Sequence, residues 1–187
     1  MSDTSELDAA LEALVGQPIS PGGPNVAPDP VNQPMIRHWA AAFEDANPVY
    51  VDLVAAAASR HGEIVAPPLM LQTWTMATPK ITGMRERGGS PVEGDGAAVL
   101  RLLDGAGFVG TLATNSEFEI DRYLTLGDMV SAETVLESVS PEKQTRLGKG
   151  RFITWVTTYT VDGERVGTQT FRILKFDRSA LFPEDGS

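Results

Sequence analysis

A carboxylate and a phenol, Asp45 and Tyr50, stand on either side of the turn dipeptide Asn47-Pro48, directly after a predicted helix. A general base works best when its pKa lies near the operating pH. A phenol, with an unperturbed pKa of about 10, does not meet this condition unless it is strongly perturbed, whereas imidazole does at about 6.5. Tyr50 is therefore expected to pack at a subunit interface or to donate a hydrogen bond, rather than to activate water.

The sequence contains two histidines, His38 and His61. His61 precedes Gly62 at a predicted helix end, where a cation is favoured. A capping role and a substrate contact therefore both stay open for His61 and Gly62. His38 lies on the flank of an amphipathic helix and is expected to mark its boundary with solvent.

Three arginines are candidates for binding phosphate groups, because guanidinium groups form charge-assisted hydrogen bonds with phosphates. They are Arg60, Arg85 and Arg87. In an acidic protein, a solvated position is an equal alternative for each of them. Trp74 is a further candidate for contact with a ligand, although a core position is the simpler interpretation. Two distant histidines and no cysteine make a poor set of metal ligands, so no metal is predicted.

The composition narrows the class of protein. A net charge of −10 disfavours nucleic acid and anionic membranes as partners, but it leaves room for a small anionic ligand held by local arginines. The absence of cysteine excludes disulfides and thiol nucleophiles and fits a cytoplasmic location. The acidic N-terminus lacks the pattern of a secretory signal.

The stretch 65–76 predicts a short buried helix, because apolar residues occur on every side of it. Pro68 suits the first helical turn, and Pro79 ends the run. The apolar residues are Leu69, Met70, Leu71, Trp74 and Met76.

Hydrophobic periodicity predicts helices at 5–15, 33–44 and 52–59 and a short one at 97–103. Strands are predicted at 112–120, 128–139, 151–161 and 165–176, the last two joined by an Asp162-Gly163 hairpin. The fold class is therefore α+β, a curved antiparallel sheet around one buried helix. Apolar residues on both faces of the strands suggest that a second subunit covers part of the sheet.

Two segments are expected to flank this domain of residues 31–177, and a third is expected to interrupt it. Residues 1–30 form an N-terminal helix and an extended connector, and residues 178–187 resemble a linker to a further domain. Residues 80–110 contain eight glycines and are interpreted as a flap near the binding site.

The segment Asp45-x-Asn47-Pro48-Val49 resembles the signature of the MaoC-like, or hydratase 2, enoyl-CoA hydratases. The resemblance extends from about Val31 to Phe176 and includes Gly127-Asp128 and the Gly163 hairpin. It implies a hot-dog fold, in which an antiparallel sheet wraps a central helix. In that family an Asp and a His on one loop add water across the double bond of an enoyl thioester.

Two departures from the family pattern suggest that this chain is not the catalytic half. Tyr50 stands where the family has its catalytic His, which favours a turn-capping role for Asp45. Ala66, Pro67 and Pro68 replace a His-Gly-Met sequence whose glycine offers a backbone N–H to the thioester oxygen. Both the acid–base pair and the oxyanion donor are thus expected to be missing.

Residues 31–39 and 61–71 resemble the N-terminal-type MaoC-like dehydratase domains of actinobacteria, and among them the larger subunits of steroid side-chain enoyl-CoA hydratases. The resemblance implies a heterotetramer of two plus two with a smaller subunit that carries the Asp/His pair. It also implies a steroid acyl-CoA substrate from cholesterol catabolism and no cofactor. Two alternatives remain open: a self-sufficient hydratase or thioesterase homodimer, and an acyl-CoA-binding scaffold.

Overall fold

The computed structural model describes residues 3–20, 22–83 and 97–178. Its helices are α1 (Asp3–Glu12), α2 (Gln33–Ala42), α3 (Leu53–Ala58) and α4 (Ala98–Gly105), with 3₁₀ helices at Pro48–Tyr50 and Pro68–Thr75. The strands are β1 (Asn25–Val26), β2 (Gly110–Ile120), β3 (Val130–Val139), β4 (Lys143–Thr145), β5 (Gly148–Val161) and β6 (Glu164–Phe176). The four predicted helices and four long strands are thus present.

The strands form one antiparallel sheet in the order β1-β3-β5-β6-β2, and β4 pairs with β5. The β5–β6 hairpin turns at Asp162 and Gly163, whose φ angles are +50° and +82°. Positive φ at both central residues is what a type I′ turn requires, and it explains why Asp-Gly is the hairpin signal. Successive side chains along the long strands point to opposite faces of the sheet.

Two hydrophobic clusters lie on the same face of the sheet. The first packs the central 3₁₀ helix, Pro68–Thr75, against Ala132, Tyr159 and Val166. The second packs α1 and α4 against Leu136, Ile153 and Ile173, further along the same strands. The sheet is therefore covered at both ends, by different elements.

The central helix differs from the prediction of a helix buried on every side. It is a 3₁₀ helix, with Leu69 and Met76 each 60% exposed. In a 3₁₀ helix residues three apart share a face. Leu71 and Trp74 accordingly share the buried face, and Leu69 shares the exposed face with Gln72.

Helix α2 begins as predicted, because Asn32 caps it by accepting a hydrogen bond from the backbone N–H of Met35 at 3.1 Å. Helical spacing predicts one apolar face of Met35, Ile36, Trp39 and Phe43 on this helix, and that prediction is only partly correct. Ile36 is fully buried, but Met35 is 42% and Phe43 67% exposed. Phe43 instead stacks on Trp39 at the surface.

The N-terminal connector is attached to the sheet, because its backbone runs beside β3. The N–H groups of Gly16, Ile19 and Ala27 donate to carbonyls of β3, at 2.8–2.9 Å. The connector contains β1, which pairs with β3. The sequence pattern did not predict β1.

Two buried cations join α1 and α4 to the sheet. Arg151 on β5 pairs with Asp8 of α1, and Lys175 on β6 pairs with Asp104 of α4 and with the hydroxyl of Thr111. The side chains of Arg151 and Lys175 are 5% and 4% exposed. Both helices therefore depend on charge pairs as well as on apolar contact.

Asp104→Asn is expected to destabilise the fold by about 2 kcal/mol, because it leaves the buried ammonium of Lys175 without its counter-charge. The value is below that for a fully buried pair, since Asp104 is 49% exposed. Urea denaturation measures the change. Glu142→Gln is the control, because its partner Lys149 is 65% exposed and the expected loss is below about 1 kcal/mol. Equal losses in the two variants would contradict a structural role for the Lys175 pair.

Candidate functional site

Asp45 lies in the geometry of a turn cap. Its Oδ1 accepts the backbone N–H of Asn47 at 3.0 Å, and the Asn47 side chain in turn accepts the N–H of Val49 at 3.3 Å. These bonds satisfy the free N–H groups at the start of the first 3₁₀ helix. The Asp45 carboxylate thus has a structural use that needs no substrate.

Tyr50 closes that helix with its ring in the core, 7% exposed. Burial raises the pKa of its phenol above the ordinary value, and the negative charge of Asp45 raises it further. A phenol with a raised pKa keeps its proton at neutral pH. Tyr50 can donate a hydrogen bond, but it cannot act as the general base.

The entrance to the central 3₁₀ helix lacks free donors at residues 66–68. The backbone N–H of Ala66 donates to the carbonyl of Leu124 at 2.8 Å. Pro67 and Pro68 have no N–H to give. No backbone donor at these three positions is therefore left for a thioester oxygen.

His61 lies against Tyr123, a residue that the sequence patterns did not single out. The two rings stack with centroids 4.8 Å apart, and the Arg60 guanidinium lies 5.9 Å from the centre of the Tyr123 ring. The Nε of Arg60 donates to Nε2 of His61 at 3.4 Å. His61 thus contacts an aromatic ring and a cation, while the following Gly62 takes a positive φ of 75°.

Tyr123 packs on the same hydrophobic cluster as Tyr50. The structure therefore brings Tyr50, His61 and Arg60 into one region around Tyr123, with Asp45 close to Tyr50. The only sequence signal for Tyr123 is its place shortly before the Gly127-Asp128 turn. There Asp128 pairs with Arg122 at 2.7 Å and accepts the N–H of Thr125, which fixes the loop.

Trp74 is a core residue. It is 5% exposed and belongs to the cluster beneath the central helix. Its indole Nε1 has no hydrogen-bond partner within the part of the chain that the structure describes. Arg85 and Arg87, the other predicted phosphate ligands, lie outside the described residues, as do residues 84–96 of the predicted flap.

A pocket of about 340 Å³ opens on the sheet between the two hydrophobic clusters. We call it the sheet pocket. It lies between the end of the central helix at Thr75 and the part of the sheet that α1 and α4 cover. Its lining comprises Pro18, Ile19, Ser20, Gly23, Asn25, Gln72, Thr75, Met76, Ala132, Glu133, Thr134, Trp155, Thr157, Tyr159, Gln169 and Phe171.

The lining residues include no lysine, arginine or histidine. Glu133 lies between Ala132 and Thr134 on β3, so its side chain points to the opposite face of the sheet. Phosphate groups are therefore disfavoured in the pocket. Trp155, Phe171, Ile19 and Met76 offer apolar surface. The sheet pocket is suited to an uncharged, largely apolar group.

A hydrogen-bond network crosses the floor of the sheet pocket. The hydroxyl of Tyr159 donates to Oε1 of Gln169 at 2.9 Å, and Nε2 of Gln169 donates to Gln72 and to Ser116. Burial raises the pKa of Tyr159 to about 12, so its proton stays in place at physiological pH. The floor is thus polar but uncharged.

Residues 3–20, 22–83 and 97–178 contain no group of three or more acidic, histidine or cysteine side chains placed to hold a metal ion. Within the same ranges no helix is long and apolar enough to cross a membrane.

An antiparallel sheet wrapped on a central helix, with a loop of the Asp-x-Asn-Pro type, defines the hot-dog class of MaoC-like dehydratase domains. The chain belongs to the FAS1-like family, dehydratase domain region, whose model matches residues 13–169. That match and the α+β hot-dog fold confirm the family and the fold predicted from the sequence.

Two curated relatives are similar over most of this chain. A probable enoyl-CoA hydratase alpha subunit of Thermomonospora curvata is 44% identical over 91% of this chain and 52% of its own length. A 3-oxo-4,17-pregnadiene-20-carboxyl-CoA hydratase alpha subunit of Mycobacterium tuberculosis is 42% identical over 94% of this chain and 53% of its own. The chain thus spans about half the length of these relatives.

Two solved structures show the same fold. A chain of the ChsH1-ChsH2 complex from Mycobacterium tuberculosis is 40% identical, with a TM-score of 0.79 and coverage of 96% of this chain and 99% of that one. A MaoC-like dehydratase is 27% identical, with a TM-score of 0.60 and coverage of 89% and 43%.

Proposed function

We propose that this chain is the non-catalytic, substrate-shaping subunit of a heteromeric enoyl-CoA hydratase. A smaller hot-dog partner supplies the catalytic Asp and His. In the reaction the carbon–carbon π bond breaks, the oxygen of water bonds to the β-carbon, and the α-carbon takes a proton. The partner's Asp/His pair orients the water and transfers the proton, and this chain completes the acyl pocket.

The proposal rests on one observation, which is that the residues at both positions that are catalytic in the family lack the required groups in this chain. At one of them Tyr50 is a buried phenol with a raised pKa. At the other, the N–H of Ala66 is engaged with Leu124, and Pro67 and Pro68 have none. A hydratase needs a base and an oxyanion donor at the same time. Because both are missing together, loss of catalysis in this half explains them more simply than two unrelated changes.

The sheet pocket supports a role in holding the acyl group. No charged side chain points into it, so it suits the acyl end of the substrate better than the phosphates of CoA. It exists because the central helix ends at Thr75 and leaves the middle of the sheet open. A bulky, fused-ring acyl group, such as the steroid side-chain ester of the Mycobacterium tuberculosis relative, fits this interpretation.

The phosphates of CoA are assigned to the region of Arg60 and His61, beside Tyr123. Arg60 is exposed and His61 is half-buried, so both are accessible from solvent. This places the two ends of the substrate on different parts of the chain.

Within the part of the chain that the structure describes, one edge of the sheet is unpaired and offers the partner a docking surface. Strand β2 is 11 residues long, pairs with β6 on one side and stands at the end of the strand order. Long exposed edge strands are sites for pairing with another chain. Leu112 on β2 and Leu69 and Met76 near the central helix are 48–60% exposed. The names of the relatives, alpha subunits and a two-protein complex, agree with such a partner.

Hydration of a polycyclic enoyl-CoA by this chain alone, by the small subunit alone and by the mixture tests the proposal. We expect turnover only from the mixture, with both proteins in one complex on size exclusion. Turnover by this chain alone would show that it holds its own catalytic group. A stable complex that binds the CoA ester and never hydrates it would support the scaffold alternative instead.

A further inference from the structure

The polar floor of the sheet pocket has no use in a purely apolar acyl site. Gln169 is 3% exposed, and both N–H groups of its amide donate hydrogen bonds. Their acceptors are Oε1 of Gln72 at 3.1 Å and Oγ of Ser116 at 2.9 Å. The amide oxygen of Gln169 accepts the hydroxyl of Tyr159. A pocket for a hydrocarbon would replace such a network with apolar side chains, because polar groups are costly to bury unless they are paired.

Gln72 is the member of the network with capacity left. Its Oε1 is taken by Gln169, and this contact fixes the orientation of the amide. Its Nε2 carries two N–H groups. Within the described ranges neither has a protein acceptor, and the side chain lines the pocket. Gln72 thus offers hydrogen-bond donors at the end of a network that holds it in place.

The charge of the lining decides what kind of acceptor Gln72 can serve. No cationic side chain lines the pocket, so an anionic acceptor would lose its hydration without a compensating charge. An uncharged oxygen avoids this penalty. Among neutral groups a ketone is the best match to a pair of N–H donors, since it has two lone pairs and no proton of its own to place.

We propose that Gln72 donates a hydrogen bond to an uncharged ketone oxygen on the part of the acyl group that lies in the sheet pocket, and that it thereby selects oxygenated acyl groups. The inference rests on the proposed function, and it names the residue of this chain that distinguishes acyl groups at that site. Gln169 and Tyr159 act as positioning residues that hold the Gln72 amide. An acyl group without the oxygen leaves the donors of Gln72 unpaired when it displaces water from them.

Three enoyl-CoA esters that share one ring system, with a ketone, a hydroxyl or only hydrogen at the far ring, provide the test. The kcat/KM of the complex with the small subunit is measured for each. For the unmodified complex we expect the ketone to exceed the deoxy ester by about five- to tenfold, the range of one net hydrogen bond.

Gln72→Glu is the sharpest variant, because it is nearly isosteric and one carboxylate oxygen can still accept from Gln169. The other oxygen then faces the pocket in place of the N–H donors. The ratio of kcat/KM for the ketone ester to kcat/KM for the deoxy ester should fall to about one or below. The ester that carries a hydroxyl group can donate a hydrogen bond, so it should keep its advantage over the deoxy ester. Gln72→Leu should bring both ratios close to one. Gln144→Leu is the matched control, since Gln144 is exposed on β4 and bonds only to the carbonyl of Thr145.

Unchanged ratios in both Gln72 variants would overturn the inference, as would an unmodified complex that does not distinguish the ketone from the deoxy ester. In either case the complex still turns over, so the proposed function stands. If the complex hydrates none of the three esters, the proposed function itself fails and the inference falls with it. Because Gln72 is exposed, its variants are expected to fold, and thermal melting of each variant confirms this separately.

Discussion

Replacing the catalytic aspartate or histidine of the small partner subunit will lower the kcat of the complex by about 10²- to 10⁴-fold, the usual contribution of a general acid–base group. Asp45→Ala in this chain will change kcat by less than about twofold. The carboxylate of Asp45 is engaged with the N–H of Asn47 in a turn, and Tyr50 beside it holds its proton. Removing the carboxylate breaks the hydrogen bond with the N–H of Asn47 and leaves the catalytic groups of the partner unchanged.

The hydrogen bond between the Asn47 N–H and Asp45 gives this experiment an internal check. Loss of one net hydrogen bond costs about 1 kcal/mol of stability, so Asp45→Ala, which removes the acceptor of the Asn47 N–H, should lower the melting temperature slightly while turnover is retained. Tyr50→Phe removes the hydroxyl and keeps the ring, and it should likewise leave kcat nearly unchanged. A loss of 10²-fold or more in Asp45→Ala, with the complex still assembled, would locate a catalytic group in this chain and remove the central argument for the proposed function.

A methyl group added at Gly167 will destabilise the domain by about 2–3 kcal/mol, the range for overpacking a tight core. Gly167 lies on β6 between β5 and β2, and a Cβ there would stand 2.6 Å from the carbonyl oxygen of Glu119 and 3.0 Å from Cδ2 of Leu71. The carbonyl belongs to a paired strand and cannot swing away. The contact with Leu71 also joins this position to the central 3₁₀ helix.

Thermal melting of Gly167→Ala should show a decrease of about 5–10 °C for a domain of this size. Gly105→Ala is the matched control, because a Cβ at the end of α4 meets no atom within 4 Å and its φ is not positive. Alanine also favours the helix at Gly105 by up to about 1 kcal/mol, so this variant should be neutral or slightly stabilised. Equal melting temperatures for the two variants would mean that the sheet relaxes around Gly167.

The family and the layout of the fold are determined by local patterns in the sequence. The Asp162-Gly163 turn fixes the β5–β6 hairpin, because two positive φ angles in succession are strained for most residue types. The loss of backbone donors at Pro67 and Pro68 is a covalent property that no tertiary structure can reverse. The replacement of the family histidine by Tyr50 is equally visible in the sequence.

Tertiary structure alone decided where those groups lie and what surrounds them. Tyr123 and Gln169 carry no local signal, because one matters through a ring stacked on His61 and the other through partners 53 and 97 residues away along the chain. The apolar stretch 65–76 predicted a helix buried on all sides, but the 3₁₀ geometry exposes Leu69 and Gln72 together. The sheet pocket follows from where that helix stops relative to α1 and α4. Such a gap depends on the packing of three segments distant in the sequence, and residue types alone do not encode it locally.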